Sequence, residues 1–293
     1  MNLLYQLIVT GIVTGALYSM LGLGFGLIYG VTRVFHFAYV ISFALAGYVS
    51  YWFVRELGWP LLAAVIPGAL AAVALGVVSE VGVYRRMRGK EGSLKVIMIA
   101  SLGLFVIGQN ALQLLFGPSA LTYFPGEFLE PTIVGPVVFN ARDVLTVVLA
   151  IAVFTTLHFA LKMRWGRALR AVVDSARMAA VVGIDVQRAY LMSFVVGSLI
   201  VVPAAVLVVS AEGATPWMGL NVIFPSVAAT VVGGVGSLRG AALAGFLIGL
   251  LQNVLVWQLG NQWQNAIIFF VLILFFLYRP QGLFGRPVAR VRV

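Results

Sequence analysis

The sequence predicts an all-α fold, a polytopic transmembrane helical bundle of about nine spans, with roughly eight to ten admitted by the same pattern. Three observations carry this. Of 293 residues, 62% are apolar and 10% charged, whereas a soluble domain is nearer half apolar and a quarter charged. Apolar runs of about span length alternate with short polar connectors. The cations collect in every second connector, as the positive-inside rule requires. Residues 1–293 read as a single transmembrane domain, with a cytoplasmic coupling segment at 162–188.

The apolar runs occupy 3–31, 37–54, 61–84, 96–116, 144–161, 189–211, 222–235, 241–257 and 266–278. The first is too long for a signal peptide and follows no charged region, so it is expected to stay as a span and the mature chain to be the whole chain. It carries Gly11, Gly15, Gly22, Gly26 and Gly30, a small-xxx-small spacing that lets a neighbouring helix approach backbone to backbone. Gly245 and Gly249 repeat it in the eighth run. In the fourth, Gln109, Asn110 and Gln113 share one helical flank, which must face protein or water and serves either interhelical hydrogen bonding or a solute path. Gln252 and Asn253 are their counterpart. The seventh run is short and ends in GGVGS, the mark of a partial helix whose backbone must be buried in protein. Between the fourth and fifth runs, Pro118, Pro125, Pro131 and Pro136 stiffen a connector that carries Glu127 and Glu130. That connector is either a surface for a partner or a plain loop with an interfacial belt of Tyr123, Phe124 and Phe128.

With all nine runs counted as crossings, only Arg55 and Arg142 of the 19 Lys and Arg fall on one side. The other side holds the connectors at Arg33, 85–95, 162–188 and Arg239 and the tail, which places the N-terminus outside and the C-terminus in the cytoplasm. The formal charge of +10 is thereby a membrane property, and no nucleic-acid partner is inferred from it. All nine acids are expected at or near span ends, so no intramembrane carboxylate is available to couple transport to an ion.

The one polar island long enough to form a structure of its own between two strongly apolar runs is 165–184, WGRALRAVVDSARMAAVVGI. Between Ser175 and Val182 there is neither Pro nor Gly, and Ala176, Ala179 and Ala180 favour a short helix with one small-residue face. Gly183 stops it. A short cytoplasmic helix of this kind either lies on anionic lipid or docks into a cleft on another protein. No GxxxxGK[ST] phosphate loop occurs, since the only Gly-Lys pair, Gly89 and Lys90, is followed by Glu91. GGVGS at 233–237 lacks the βαβ context of a dinucleotide turn. There is no cysteine, and two distant histidines make no metal site. A transporter without internal coupling chemistry needs its engine on another subunit, and such an engine needs a docking helix.

These residues also resemble a family. MLGLGFGLIYGVTRVFHFAY at 20–39, SEVGVYRRMR at 79–88, GQN at 108–110, GRALRAVVDSARMAAVVGI at 166–184, VVGGVGSLRGAALAGFLIG at 231–249 and RPQGLFGRP at 279–287 are similar to the permease subunits of branched-chain amino acid ABC importers, the H-type partner of an H/M pair. The resemblance implies a second, homologous M-type permease, two ATP-binding subunits carrying ATP and magnesium, and a periplasmic binding protein, in a bacterial inner membrane. It implies coupling to the ATPase through Gly166, Arg167, Arg170, Asp174, Arg177, Ala179, Ala180 and Gly183, and a translocation path along His36, Tyr39, Gln109, Asn110 and Gln113. No cofactor is implied on this chain. Where the family reads Asn-Phe-Ala-His-Gly this chain reads His36-Phe37-Ala38-Tyr39-Val40, and where it reads Glu-Asp this chain has Asp174-Ser175. Relatives carry urea, short amides and carboxylates as well as leucine-like amino acids, so the first departure leaves the solute open.

The leading expectation is thus a transport subunit, not an enzyme, that passes a small polar metabolite inward. Branched-chain or related amino acids fit best. The alternative is an ion-coupled carrier or channel, and an intramembrane enzyme is disfavoured because no catalytic constellation sits at membrane depth.

Overall fold

The computed structural model describes residues 2–88, 93–121, 130–135, 137–279 and 281–285. The expected Gly-Lys-Glu at 89–91, the aromatic belt and Glu127 within 122–129, and the last part of the motif at 279–287 lie outside the described residues. All nine apolar runs are helical: α1 (Asn2–Thr32), α2 (Tyr39–Arg55), α3 (Leu61–Val77), α5 (Leu94–Phe116), α6 (Ala141–Ala160), α9 (Val186–Glu212), α10 (Leu220–Gly233), α11 (Leu238–Leu259) and α12 (Gln264–Tyr278). Among the described residues, seven helices are long and apolar enough to cross a membrane. The other two, α2 with 17 residues and α10 with 14, are shorter and largely buried. A hairpin of β1 (Thr132–Val134) and β2 (Val137–Phe139) interrupts the otherwise helical chain, a departure from the all-α expectation confined to a connector.

The bundle is organised on α1. Its glycines meet α11 and α10 at backbone distance: a Cβ at Gly15 would lie 2.6 Å from the Phe246 carbonyl, one at Gly245 2.7 Å from the Ser19 amide, and one at Gly22 2.6 Å from Ala229. Gly24 faces Gly197 of α9 in the same way, where a Cβ would lie 2.9 Å from the Gly197 carbonyl. Helices this close bury their backbones against each other, so packing replaces a hydrophobic drive that lipid does not supply. Thr230 Oγ1 donates to the Gly22 carbonyl at 3.3 Å and Ser19 Oγ to the Ala242 carbonyl at 2.7 Å, stitching the same seam.

Contacts between connectors gather them at the two ends of the bundle. At the end of α1 that carries Gln6, the Gln6 amide pairs with both backbone groups of Val138 at 2.9 and 2.8 Å, and Leu121 bridges Ala214. At the opposite end, Arg33 Nη2 donates to the Val173 carbonyl at 3.4 Å. There the Leu283 and Phe284 amides donate to the carbonyls of Val232 and Gly233 at 2.7 and 3.0 Å.

The helix after α3 does not end where the apolar run does. A π-helical stretch, Val78–Tyr84, leads into α4 (Arg85–Arg88), so one continuous helix runs over Leu61–Arg88. Glu80 is 1% exposed inside that helix, and Arg88, itself mostly buried, donates from Nη2 to its Oε2. The Arg88 guanidinium also lies over the Tyr190 ring, 4.4 Å from its centroid.

Two outcomes follow for stability. Gly249→Leu drives a side chain into the Gly15 backbone and should lower the thermal unfolding midpoint in detergent by the equivalent of about 1–3 kcal/mol. Gly103→Leu, where a Cβ meets nothing within 4 Å, should leave it unchanged or raised. Arg88→Met strands a buried carboxylate and should cost about 3–5 kcal/mol. Adding Glu80→Gln to it should restore most of that loss, and a double variant as unstable as the single would remove the ion pair from the account.

Candidate functional site

Residues 162–188 fold into two short helices joined at Ser175, α7 (Arg164–Asp174) and α8 (Ala176–Val181). α7 is amphipathic by the simplest pattern: Gly166, Leu169 and Val172 are buried, while Arg167, Arg170 and Asp174 are exposed. Gly166 rests on the end of α6, where a Cβ would come within 2.6 Å of the Ala160 carbonyl. Leu169 and Val172 join a small core with Leu27 and Val31 of α1, Leu157 of α6 and Leu161 just after it. Ala189 and Ile200 of α9 belong to the same core, so the segment is clamped to three transmembrane helices, as a handle must be if force on it is to move them.

α8 begins as the sequence predicts. Ser175 is its N-cap, with Oγ accepting the Met178 amide at 3.2 Å. Gly183, at φ +83°, ends it, and the Ile184 amide reaches back to the Ala179 carbonyl at 2.9 Å. The small-residue face is divided, however. Ala179 is only 3% exposed and packs into the chain's own core, so it cannot also seat in a partner. The outward face consists of Ala180 with Arg177, Met178, Val181 and Val182, the last three 66%, 77% and 74% exposed. Sequence reasoning passed over Met178, Val181 and Val182. Their i, i+3, i+4 spacing was the available signal, but Ala, Met and Val alternate so closely that composition alone does not say which side faces in.

The residues expected along a path are not brought together. Gln109 is buried with its Nε2 lacking a hydrogen-bond partner among the described residues. Asn110 is exposed and donates back to the Val106 carbonyl of its own helix at 2.8 Å, and Gln113 is half-buried. One residue of rotation, about 100°, separates Gln109 from Asn110 and splits the expected flank. Tyr39 is wholly buried, its hydroxyl donating to the Leu21 carbonyl at 3.0 Å beside Gly24.

His36 instead belongs to a polar cluster the sequence did not disclose. Its Nδ1 lies 2.9 Å from the Tyr84 hydroxyl, its ring meets Phe194 edge-on at 4.8 Å, and its Nε2 has no partner among the described residues. Ser101 of α5 accepts the Phe37 amide at 2.6 Å. The turn before α2, the π-helical stretch and α5 therefore meet at one buried polar junction, one helical turn from Glu80. Gln252 is buried against Tyr18, which Gln264 also approaches at 3.4 Å, and Asn253 bonds its own helix at the Gly249 carbonyl.

Comparison with known proteins matches this sequence to a family. A family model described as branched-chain amino acid transport system / permease component matches residues 7–277. The chain is 29% identical over 296 residues to the high-affinity branched-chain amino acid transport system permease protein BraD of Pseudomonas aeruginosa, covering 96% of each. It is 28% identical over 297 residues to the permease protein LivH of the corresponding system of Escherichia coli K12, again covering 96% of each. The probable branched-chain amino acid transport permease protein LivH of Methanocaldococcus jannaschii is 26% identical over 292 residues, covering 94% of this chain and 90% of that one. The match runs from the first turns of α1 to the last turn of α12 and takes in the α7–α8 segment and the polar junction alike, so the chain belongs to the family of branched-chain amino acid transport permease components.

Proposed function

We propose that this chain is one membrane subunit of an ATP-driven importer in a bacterial inner membrane, forming with a homologous second permease the path for branched-chain or related amino acids. The relatives' names supply the solute class. The observation that carries the coupling mechanism is α8: a short helix whose inner face is locked into the bundle and whose outer face exposes Met178, Val181 and Val182 beside cations. Bare apolar side chains at the tip of a firmly anchored handle suit a cleft on an ATP-binding subunit, and ATP and magnesium would act there. Movement of that subunit would rock α1, α6 and α9 against their neighbours and open the path alternately to either side, to a periplasmic binding protein on one and the cytoplasm on the other. Coupling to an ion is disfavoured, because the buried Glu80 is neutralised by Arg88.

We further propose nine crossings with the N-terminus outside. The pairing of Gln6 with Val138 and of Leu121 with Ala214 at one end, and of Arg33 with Val173 at the other, supports the same alternation that the cations suggest. Single cysteines at Ser93 and Ala180, both exposed, should react with an impermeant thiol reagent only after permeabilisation, and one at Ser119, also exposed, in intact cells. The reverse pattern would overturn the orientation. Val181→Asp and Ala180→Trp alter only the outer face of α8. They should leave the chain inserted and paired with its partner permease, reduce recovery of the ATP-binding subunits roughly tenfold to a hundredfold, the equivalent of about 1–3 kcal/mol, and abolish uptake. Full co-purification with undiminished uptake would show that α8 is not the contact.

A further inference from the structure

Beside α7 the structure holds a cavity of about 1110 Å³, larger than the roughly 300–1,000 Å³ typical of pockets for small molecules. It is built in two zones. Deep in the bundle its walls are apolar, with Leu23 and Leu27 from α1 and Phe154 and Leu157 from α6. At its mouth stand Arg33 after α1, Arg170 on α7 and Arg239 at the start of α11, all exposed, with His158 below them. Asp174 is the carboxylate among the described lining residues. Even with Asp174 engaging one guanidinium, the mouth keeps an excess of positive charge. From Leu23 to its end at Thr32 α1 rises about 14 Å, close to half of a hydrocarbon core about 30 Å thick. An occupant must therefore be anionic at one end and apolar over the depth of one leaflet.

The chain's own C-terminal residues do not fit that description, since 286–293 carry Arg286, Arg290 and Arg292 and no acid. An amino acid is far too small for the volume. We propose that the cavity binds an anionic phospholipid of the cytoplasmic leaflet, its phosphate held among Arg33, Arg170 and Arg239 and an acyl chain laid along Leu23, Leu27, Phe154 and Leu157. The assignment to the cytoplasmic leaflet rests on the orientation proposed above. Because Arg170 belongs to α7 and Arg33 is tied to the Val173 carbonyl, the bound headgroup touches the coupling segment itself. The lipid is then a structural component of the handle.

The test is native mass spectrometry of the purified full chain, delipidated and titrated with phosphatidylglycerol or phosphatidylcholine of matched acyl chains. One phosphatidylglycerol should bind in preference to phosphatidylcholine. Arg170→Gln/Arg239→Gln should weaken it roughly thirtyfold, while Arg86→Gln/Arg164→Gln, which removes two cations outside the cavity lining, should not. Equal retention of both lipids, no loss in the first double variant, or displacement by L-leucine, inorganic phosphate or ATP would each overturn the proposal. Reversed cysteine labelling with phosphatidylglycerol still bound would fault the orientation and leave the site.

Discussion

The arrangement depends on how closely helices can approach when no side chain stands between them. In a lipid environment apolar side chains gain nothing by leaving lipid for protein, so the seam of α1 with α9, α10 and α11 must be held by backbone proximity and by hydrogen bonds. Gly15, Gly22, Gly24, Gly197, Gly245 and Gly249 supply the proximity, and Ser19 and Thr230 the bonds. With that seam fixed, α1 becomes the reference against which the other helices are placed. Its far end is where α7 is fastened.

That fastening explains how a polar stretch between two apolar runs acquires a defined shape. α7 has few internal resources, being 11 residues long with a glycine in its first turn, and an isolated helix of that length is marginal. Burial of Leu169 and Val172 against α1 and α6 supplies what propensity does not. α8 is shorter still, and its N-cap at Ser175, its turn at Gly183 and the inward Ala179 leave its outer residues exposed by construction. An apolar face left outside in this way is a surface awaiting another protein.

Much of the architecture was legible in the sequence because hydropathy reports it directly. Each of the nine runs is helical, and the glycine spacing named the buried faces of α1 and α11. The short helix at 176–181 and its stop at Gly183 followed from local chemistry. What the sequence could not convey was rotation. Gln109, Asn110 and Gln113 share a flank by spacing, yet only Gln109 is buried, because the phase of α5 is set by contacts such as Gly108 against Ile41. The same holds for Ala179 and Ala180. Glu80 was read as an acid at or near a span end because charge ordinarily ends a span, and its burial there requires Arg88 eight residues on, a partner that linear spacing in a regular helix does not single out. The hairpin at 132–139 left no signal, being two strands of three residues each.

The π-helical stretch at Val78–Tyr84 bears on the way this molecule transmits twist. A π turn accommodates an extra residue within a helical turn, and removing that residue's worth of winding rotates everything beyond it by about 100°. Glu80 lies within the stretch and Arg88 beyond it, so their ion pair spans the widened turn and holds its phase. Tyr84, within the same stretch, faces His36 in the turn before α2. Unwinding the π turn to an ordinary helix would swing Arg88 away from both Glu80 and Tyr190 and carry Tyr84 off His36. A rotation at one end of α3 is thereby geared to the segment that joins α1 to α2, through side chains that meet in only one angular setting.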